Sequence, residues 1–200
     1  MNKKIGVVSA CFHICTVTGF SLCLLFGFFF GAYLFSVLIA FSLVPMICAF
    51  AERGNPNTTI AGHPAMAFAG VYAALIFLIY FTRVTTVQIE SLGEQTRVLF
   101  DDGGLGLSSN LSLLGHGMIA LGAFFAGLMM AVKTKSDALL KYLLVFHGIF
   151  AVSGLLVPML GLFRTTEGAP WMGPLLLAFW CAYFIPVGVL AFTRLRRISG

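Results

Sequence analysis

Residues 5–51 read IGVVSACFHICTVTGFSLCLLFGFFFGAYLFSVLIAFSLVPMICAFA, and no Asp, Glu, Lys or Arg interrupts them. One helical crossing of the hydrocarbon core takes about 20 apolar residues. A run of this length is two crossings, so it predicts a helical hairpin with its turn near 27–31, where Gly27 and Gly31 bracket three phenylalanines. Lys3 and Lys4 ahead of the run resemble the start of a secretory signal. The apolar stretch continues without a small-residue exit into polar sequence, so both crossings read as retained spans.

Four further crossings follow outward from this hairpin. Glu52-Arg53-Gly54-Asn55-Pro56-Asn57 is rich in turn formers, and the third span runs over 64–82, with Pro64 suited to a first helical turn. A fourth span covers 109–132, opened by Ser108 to Asn110 as cap residues and closed by Lys133, Lys135 and Asp137. The fifth covers 139–163, Arg164 to Gly168 form the next break, and the sixth covers 170–193, ahead of Arg194-Leu195-Arg196-Arg197. With the first two at 5–27 and 31–51, the expectation is an all-α polytopic membrane bundle of six transmembrane helices, forming a single domain over 1–200.

Composition agrees. Hydrophobic residues make up 60% of the chain and charged residues 10%, against roughly half and a quarter in soluble domains. A net charge of +5 would point a soluble protein toward nucleic acid, but here the charges sort by membrane side. With the N-terminus inside, Lys3, Lys4, Arg53, Lys133, Lys135, Lys141, Arg194, Arg196 and Arg197 fall inside, and Arg83, Arg97 and Arg164 fall outside. The excess of basic residues in cytoplasmic loops therefore places both termini in the cytoplasm. Tyr33 and Trp171 at the outer ends and Tyr142 at the inner end fit interfacial aromatic anchors. A cell-membrane location, the lipid bilayer as partner and no nucleic-acid partner are expected.

The chain also carries hints of a duplication. Leu43-Val44-Pro45-Met46 recurs as Leu156-Val157-Pro158-Met159, Gly62-His63-Pro64-Ala65-Met66 shares G-x-P-x-M with Gly168-Ala169-Pro170-Trp171-Met172, and Phe81-Thr82-Arg83 matches Phe192-Thr193-Arg194. His13 precedes Gly19 by six residues, as His116 precedes Gly122. These matches join equivalent spans in the same order. A 3+3 inverted repeat, a recurrent transporter plan with its site between the halves, would produce them. Chance matches in a chain dominated by Leu, Phe, Gly and Ala are the plainer account, since the offsets run from 103 (His13 to His116) to 113 (Leu43 to Leu156).

Buried ionisable residues in a membrane are costly and mark candidate sites. Apart from Lys141 near the inner end of the fifth, the spans hold no Asp, Glu, Lys or Arg, which argues against a carboxylate relay or a buried metal-carboxylate enzyme, and no enzymatic activity is expected. His13, His116 and His147 form the candidate intramembrane polar site. At 1.5 Å rise, His13 and His147 sit about 12 Å from the inner side and His116 about 10 Å from the outer. His13 and His147 would face each other if the first and fifth spans were neighbours, and such a pair could relay protons or bind a substrate. The plainer reading gives each histidine one interhelical hydrogen bond as structural glue.

Cys11-x-His13-x-Cys15 does not close a metal site, because on a helix the cysteines share a face from which His13 points away. The five cysteines, Cys11, Cys15, Cys23, Cys48 and Cys181, lack a C-x-x-C pair and read as apolar packing residues. No metal or cofactor is expected, and no H-E-x-x-H, G-x-S-x-G or phosphate-cradling pattern occurs.

The segment from Arg83 to Asn110 exceeds an ordinary connection. Its weak helical periodicity extends the third span out of the membrane before Asp101-Asp102-Gly103-Gly104 turns the chain. Glu90, Glu94, Asp101 and Asp102 are candidate outer-loop binding residues for cations or a partner; the ordinary alternative is a solvated cap. Ala65, Ala69 and Ala73, and Ala123, Gly127 and Ala131, have the small-residue spacing of close helix contact, with homo-oligomerisation through these faces as the alternative. Pro45, Pro158 and Pro186 are expected to kink or end their helices.

From Tyr80 through Thr85-Thr86-Val87 to Leu114-Gly115-His116-Gly117, about a quarter of the chain resembles small bacterial multi-span integral membrane proteins of uncharacterised function. That resemblance implies a multi-pass bundle and supplies no catalytic residues. No Asn-Pro-Ala pair of the aquaporin kind is present; Asn55-Pro56-Asn57 lies in a loop. Two functions lead, a small-molecule transporter or channel, and a non-transporting bundle acting by contact as a subunit, sensor or assembly factor; a membrane enzyme comes third.

Overall fold

The computed structural model describes residues 2–54, 56–89, 93, 107–160 and 172–199. Every regular element among them is helical: α1 (Asn2–Leu25), α2 (Phe29–Glu52), α3 (Gly62–Ile76), α4 (Leu107–Met129), α5 (Lys135–His147), α6 (Ile149–Met159) and α7 (Met172–Ser199). A 3-10 turn at Pro56–Ala61 leads into α3, and a π-helical turn at Phe77–Phe81 with the short pieces Thr82–Val84 and Thr86–Ile89 prolongs it. These make six spans long and apolar enough to cross a membrane, α5 and α6 together forming the fifth.

The α1–α2 hairpin turns at Gly27, while Gly31 lies inside α2. Gly27 takes φ +67, a left-handed conformation that side chains disfavour, and the chain reverses between Leu25 and Phe29. α3 begins two residues before Pro64. Pro45 and Pro186 lie within continuous helices, while α6 ends one residue after Pro158.

Several boundaries depart from the sequence expectation, and the last helix continues through Arg194, Arg196 and Arg197 to Ser199, past the expected end at 193. Ser108 lies inside α4 and does not cap it; its hydroxyl instead accepts hydrogen bonds from Arg83. α4 stops at Met129, three residues before the expected end. The fifth span starts at Lys135, four residues early, because Thr134 and Asp137 form a capping box rather than a polar stop. In it, Asp137 N–H donates to Thr134 Oγ1 and Thr134 N–H to the Asp137 carboxylate, satisfying amides that a helix start leaves bare. The outer segment Glu90, Glu94, Asp101 and Asp102, and the break at Arg164 with Trp171, lie outside the described residues.

Consecutive spans are neighbours and the ring closes: α1 lies against α2, α2 against α3, α3 against α4, α4 against α5 and α6, α5 against α7, and α7 against α1, with α2 also reaching α4. Small residues set the close approaches. Ala65, Ala69 and Ala73 of α3 and Ala123 of α4 are buried within the single chain. Gly117 and Gly154 bring α4 and α6 into backbone contact, since a Cβ at Gly154 would lie 2.9 Å from Gly117 Cα and from the Leu113 carbonyl.

Outside, the pattern inverts that of a soluble protein. Phe41, Leu78, Phe81, Phe146, Val152 and Phe179 are exposed, while Ser9, His13, Thr16, Ser36, Ser42 and His147 are buried. Apolar exposure on this scale is a liability in water and is what lipid solvates. Cys11, Cys15 and Cys48 belong to this exposed surface, so only Cys181, and in part Cys23, act as interior packing residues; all five are free thiols.

Candidate functional site

Polar side chains thread the bundle from one end to the other. At one end Arg83, 5% exposed, donates to Tyr33 Oη at 3.0 Å and to Ser108 Oγ at 2.9 Å. Tyr33 packs on Tyr80, whose hydroxyl lies 2.9 Å from Ser112 Oγ, and the Ser112 carbonyl accepts from His116 Nδ1 at 2.8 Å. That bond leaves Nε2 of a neutral His116 as an acceptor. His116 meets Tyr72 and Trp180 edge to face.

Here a small cavity lies among Phe20, Ser36, Tyr72, Tyr80, His116 and Trp180, with about 10 Å³ open to a water centre. That is room for roughly one water molecule. Tyr80 reaches it from the π-helical turn, a distortion that recurs at functional positions.

Beyond the cavity, Trp180 stacks on Phe184 at 4.3 Å between centroids, and Phe184 meets both His13 (5.8 Å) and His147 (4.7 Å). The two histidines therefore converge on one ring of the sixth span. The first and fifth spans are not neighbours, so the condition for His13 and His147 to face each other directly is not met, and they meet through α7, which borders both.

His13 is glued as expected. Ser42 Oγ donates to the Ile39 carbonyl at 2.7 Å, so it can only accept from His13 Nδ1 at 3.1 Å. The hydrogen sits on Nδ1, and the buried Nε2 is a lone pair without a partner among the described residues. His116 bonds within its own helix, so it is no interhelical glue.

His147 departs furthest from the glue expectation. It is 1% exposed, boxed by Phe150, Tyr183 and Phe184, and neither ring nitrogen has a hydrogen-bond partner among the described residues. It ends α5 where the span breaks: Gly148 N–H bonds to the Val145 carbonyl and Ala151 N–H to the Gly148 carbonyl, both tightened to a three-residue reach. The neighbouring Tyr183 hydroxyl is held elsewhere, donating to the Leu143 carbonyl. Trp180 Nε1–H, a pure donor, is likewise buried and unpartnered.

The far end is ionic. Asp137, fully buried, binds Arg194 at 2.9 Å and Arg197 at 2.6 Å, and also accepts from the Lys133 amide. Arg194 donates as well to the Ala131 carbonyl. Among the described residues no group of three His, Cys, Asp or Glu is placed to hold a metal ion.

Sequence reasoning found the three histidines and missed Tyr72, Tyr80, Trp180 and Phe184 around them. Trp180 carried a usable signal, an indole N–H inside an apolar span that needs a partner. No protein-family model, curated protein or solved structure matches the chain. Six apolar spans around a buried polar interior define a multi-pass α-helical membrane protein.

Proposed function

We propose that this membrane protein is a small-molecule transporter or channel whose path follows the interior from Arg83 past the cavity and Trp180 to His13 and His147. The observation that carries the reading is His147. A buried polar group without a partner costs about 1–3 kcal/mol, and an apolar residue of similar size would remove that cost in a bundle that only had to pack. Retaining an imidazole there is accounted for by a solute that reaches it. The π turn at Tyr80 beside the cavity supports the same path, since irregular backbone in a membrane is confined to protein-buried or cavity-lining positions. The ring of neighbours also keeps its order when spans one to three are exchanged with four to six, as an inverted repeat requires, although the contact of spans two and four, the π turn and the break at Gly148 have no counterpart.

Both termini face the cytoplasm and the bilayer is the cell membrane in this reading, on the distribution of basic residues. The competing reading, a bundle acting by contact, is favoured by the closed interior, where Trp180 on Phe184 and the Asp137 ion pairs fill the path. Purified protein in liposomes decides between them. Permeability above that of empty liposomes to any of water, ammonia, potassium or chloride, lowered in His147→Leu, is the expected result; no permeability to the whole set overturns transport and leaves contact.

A further inference from the structure

The chemistry of the path selects its solute. Between Arg83 at one end and the Asp137, Arg194 and Arg197 cluster at the other, the buried polar side chains described are Ser9, His13, Thr16, Ser36, Ser42, Ser108 and His147, none of them Asp, Glu, Lys or Arg. A bare ion is excluded from such an interior unless a counter-charge or a full shell of ligands replaces its water. Apart from Ser108, bound to Arg83, the serines and threonine supply no free O–H to solvate an anion, and their few scattered oxygens carry no charge to balance a cation. Ser9, Ser36 and Ser42 donate to carbonyls of their own helices, as does Thr16.

Among the described residues, His13 Nε2, both His147 ring nitrogens and Trp180 Nε1 are buried with no hydrogen-bond partner. His13 Nε2 is an unpartnered acceptor, because its Nδ1–H is committed to Ser42. His116 likewise keeps Nε2 as its acceptor on a residue lining the cavity. Trp180, also on the cavity wall, has an unpartnered N–H donor. His147 supplies, as a neutral ring, one donor and one acceptor. Acceptors and donors thus occur in turn from His116 through Trp180 to His13 and His147, and the cavity at the His116 end has room for about one water molecule.

Resting on the transport reading above, we infer that the solute is uncharged, about the size of water, and both donates and accepts hydrogen bonds, as water and ammonia do. It passes from the cavity beside His116, past the Trp180–Phe184 stack, to His13 and His147. A dimension set by one water excludes sugars and amino acids, and the absence of fixed charge in the buried middle excludes inorganic ions.

The test uses full-length protein in liposomes. Water permeability is read by light scattering after an osmotic step, ammonia entry by an internal pH dye, and potassium and chloride currents in planar bilayers. Expected are raised water or ammonia permeability, no ion current, and a fall of roughly tenfold in His147→Leu and in Trp180→Phe, the factor for one hydrogen bond lost along the path. Ion current without raised water or ammonia permeability overturns the solute class while leaving transport standing. Silence toward all four probes overturns both. If His147→Leu does not fold, Trp180→Phe and the wild-type comparison of ions with neutral solutes still decide the matter.

Discussion

Arg197 grips Asp137 through both carboxylate oxygens, at 2.6 and 2.7 Å, across 60 residues of sequence. The pair ties the start of the fifth span to the end of the sixth, and Arg194 seals it from the buried side. Breaking a buried pair leaves an uncompensated charge. Asp137→Ala, which strands Arg194, is expected to lower stability by about 3 kcal/mol. Arg197→Ala, whose side chain is 38% exposed, should cost only about 1 kcal/mol or less. Melting of the two purified variants in detergent checks this; equal losses would show that the buried arginine is not the one that matters.

The same pair bears on topology. It places the connection between the fourth and fifth spans at the same end of the bundle as the C-terminal arginines, as six alternating crossings require. Both termini are expected to be cytoplasmic, with the 90–105 segment outside. Reporter fusions at residue 200 and within 90–105 measure it, and a cytoplasmic signal from the second would refute the arrangement.

Gly154 and Gly70 make a matched pair for packing. A Cβ at Gly154 would press on the α4 backbone, whereas one at Gly70 meets nothing within 4 Å. Gly154→Ala is expected to lose about 1–3 kcal/mol by overpacking. Gly70→Ala should be neutral or slightly stabilising through helix propensity, by up to about 1 kcal/mol. Comparable melting of the two variants would mean that the α4–α6 contact yields without cost.

The spans were legible in the sequence because uninterrupted apolar length reports a crossing directly, and Gly27 marked the hairpin turn. The site was legible only in its histidines. These helices are apolar nearly all round, so periodicity does not fix how each rotates about its axis, and neither the meeting of His13 and His147 on Phe184 nor the cavity between Tyr80 and Trp180 could be read from spacing. Asp137 misled the fifth boundary for a related reason: a carboxylate reads as a polar stop until Arg194 and Arg197, some sixty residues on, are seen to neutralise it.

His13 and His147 should separate stability from transport. His13→Leu removes a hydrogen bond across α1 and α2 and leaves the Ser42 oxygen short of a donor, so a stability loss of about 1 kcal/mol is expected. His147→Leu removes no hydrogen bond made to a described residue and replaces a ring in an aromatic box. Its stability should stay level or rise, because the desolvation cost of two unpartnered nitrogens disappears. Flux should respond in the opposite order, with His147→Leu the more damaging. Measuring melting temperature and solute permeability on the same two preparations tests the crossed pattern. If His147→Leu lowers stability and leaves permeability untouched, the imidazole is a packing element, and the strongest argument for a path through the bundle is lost.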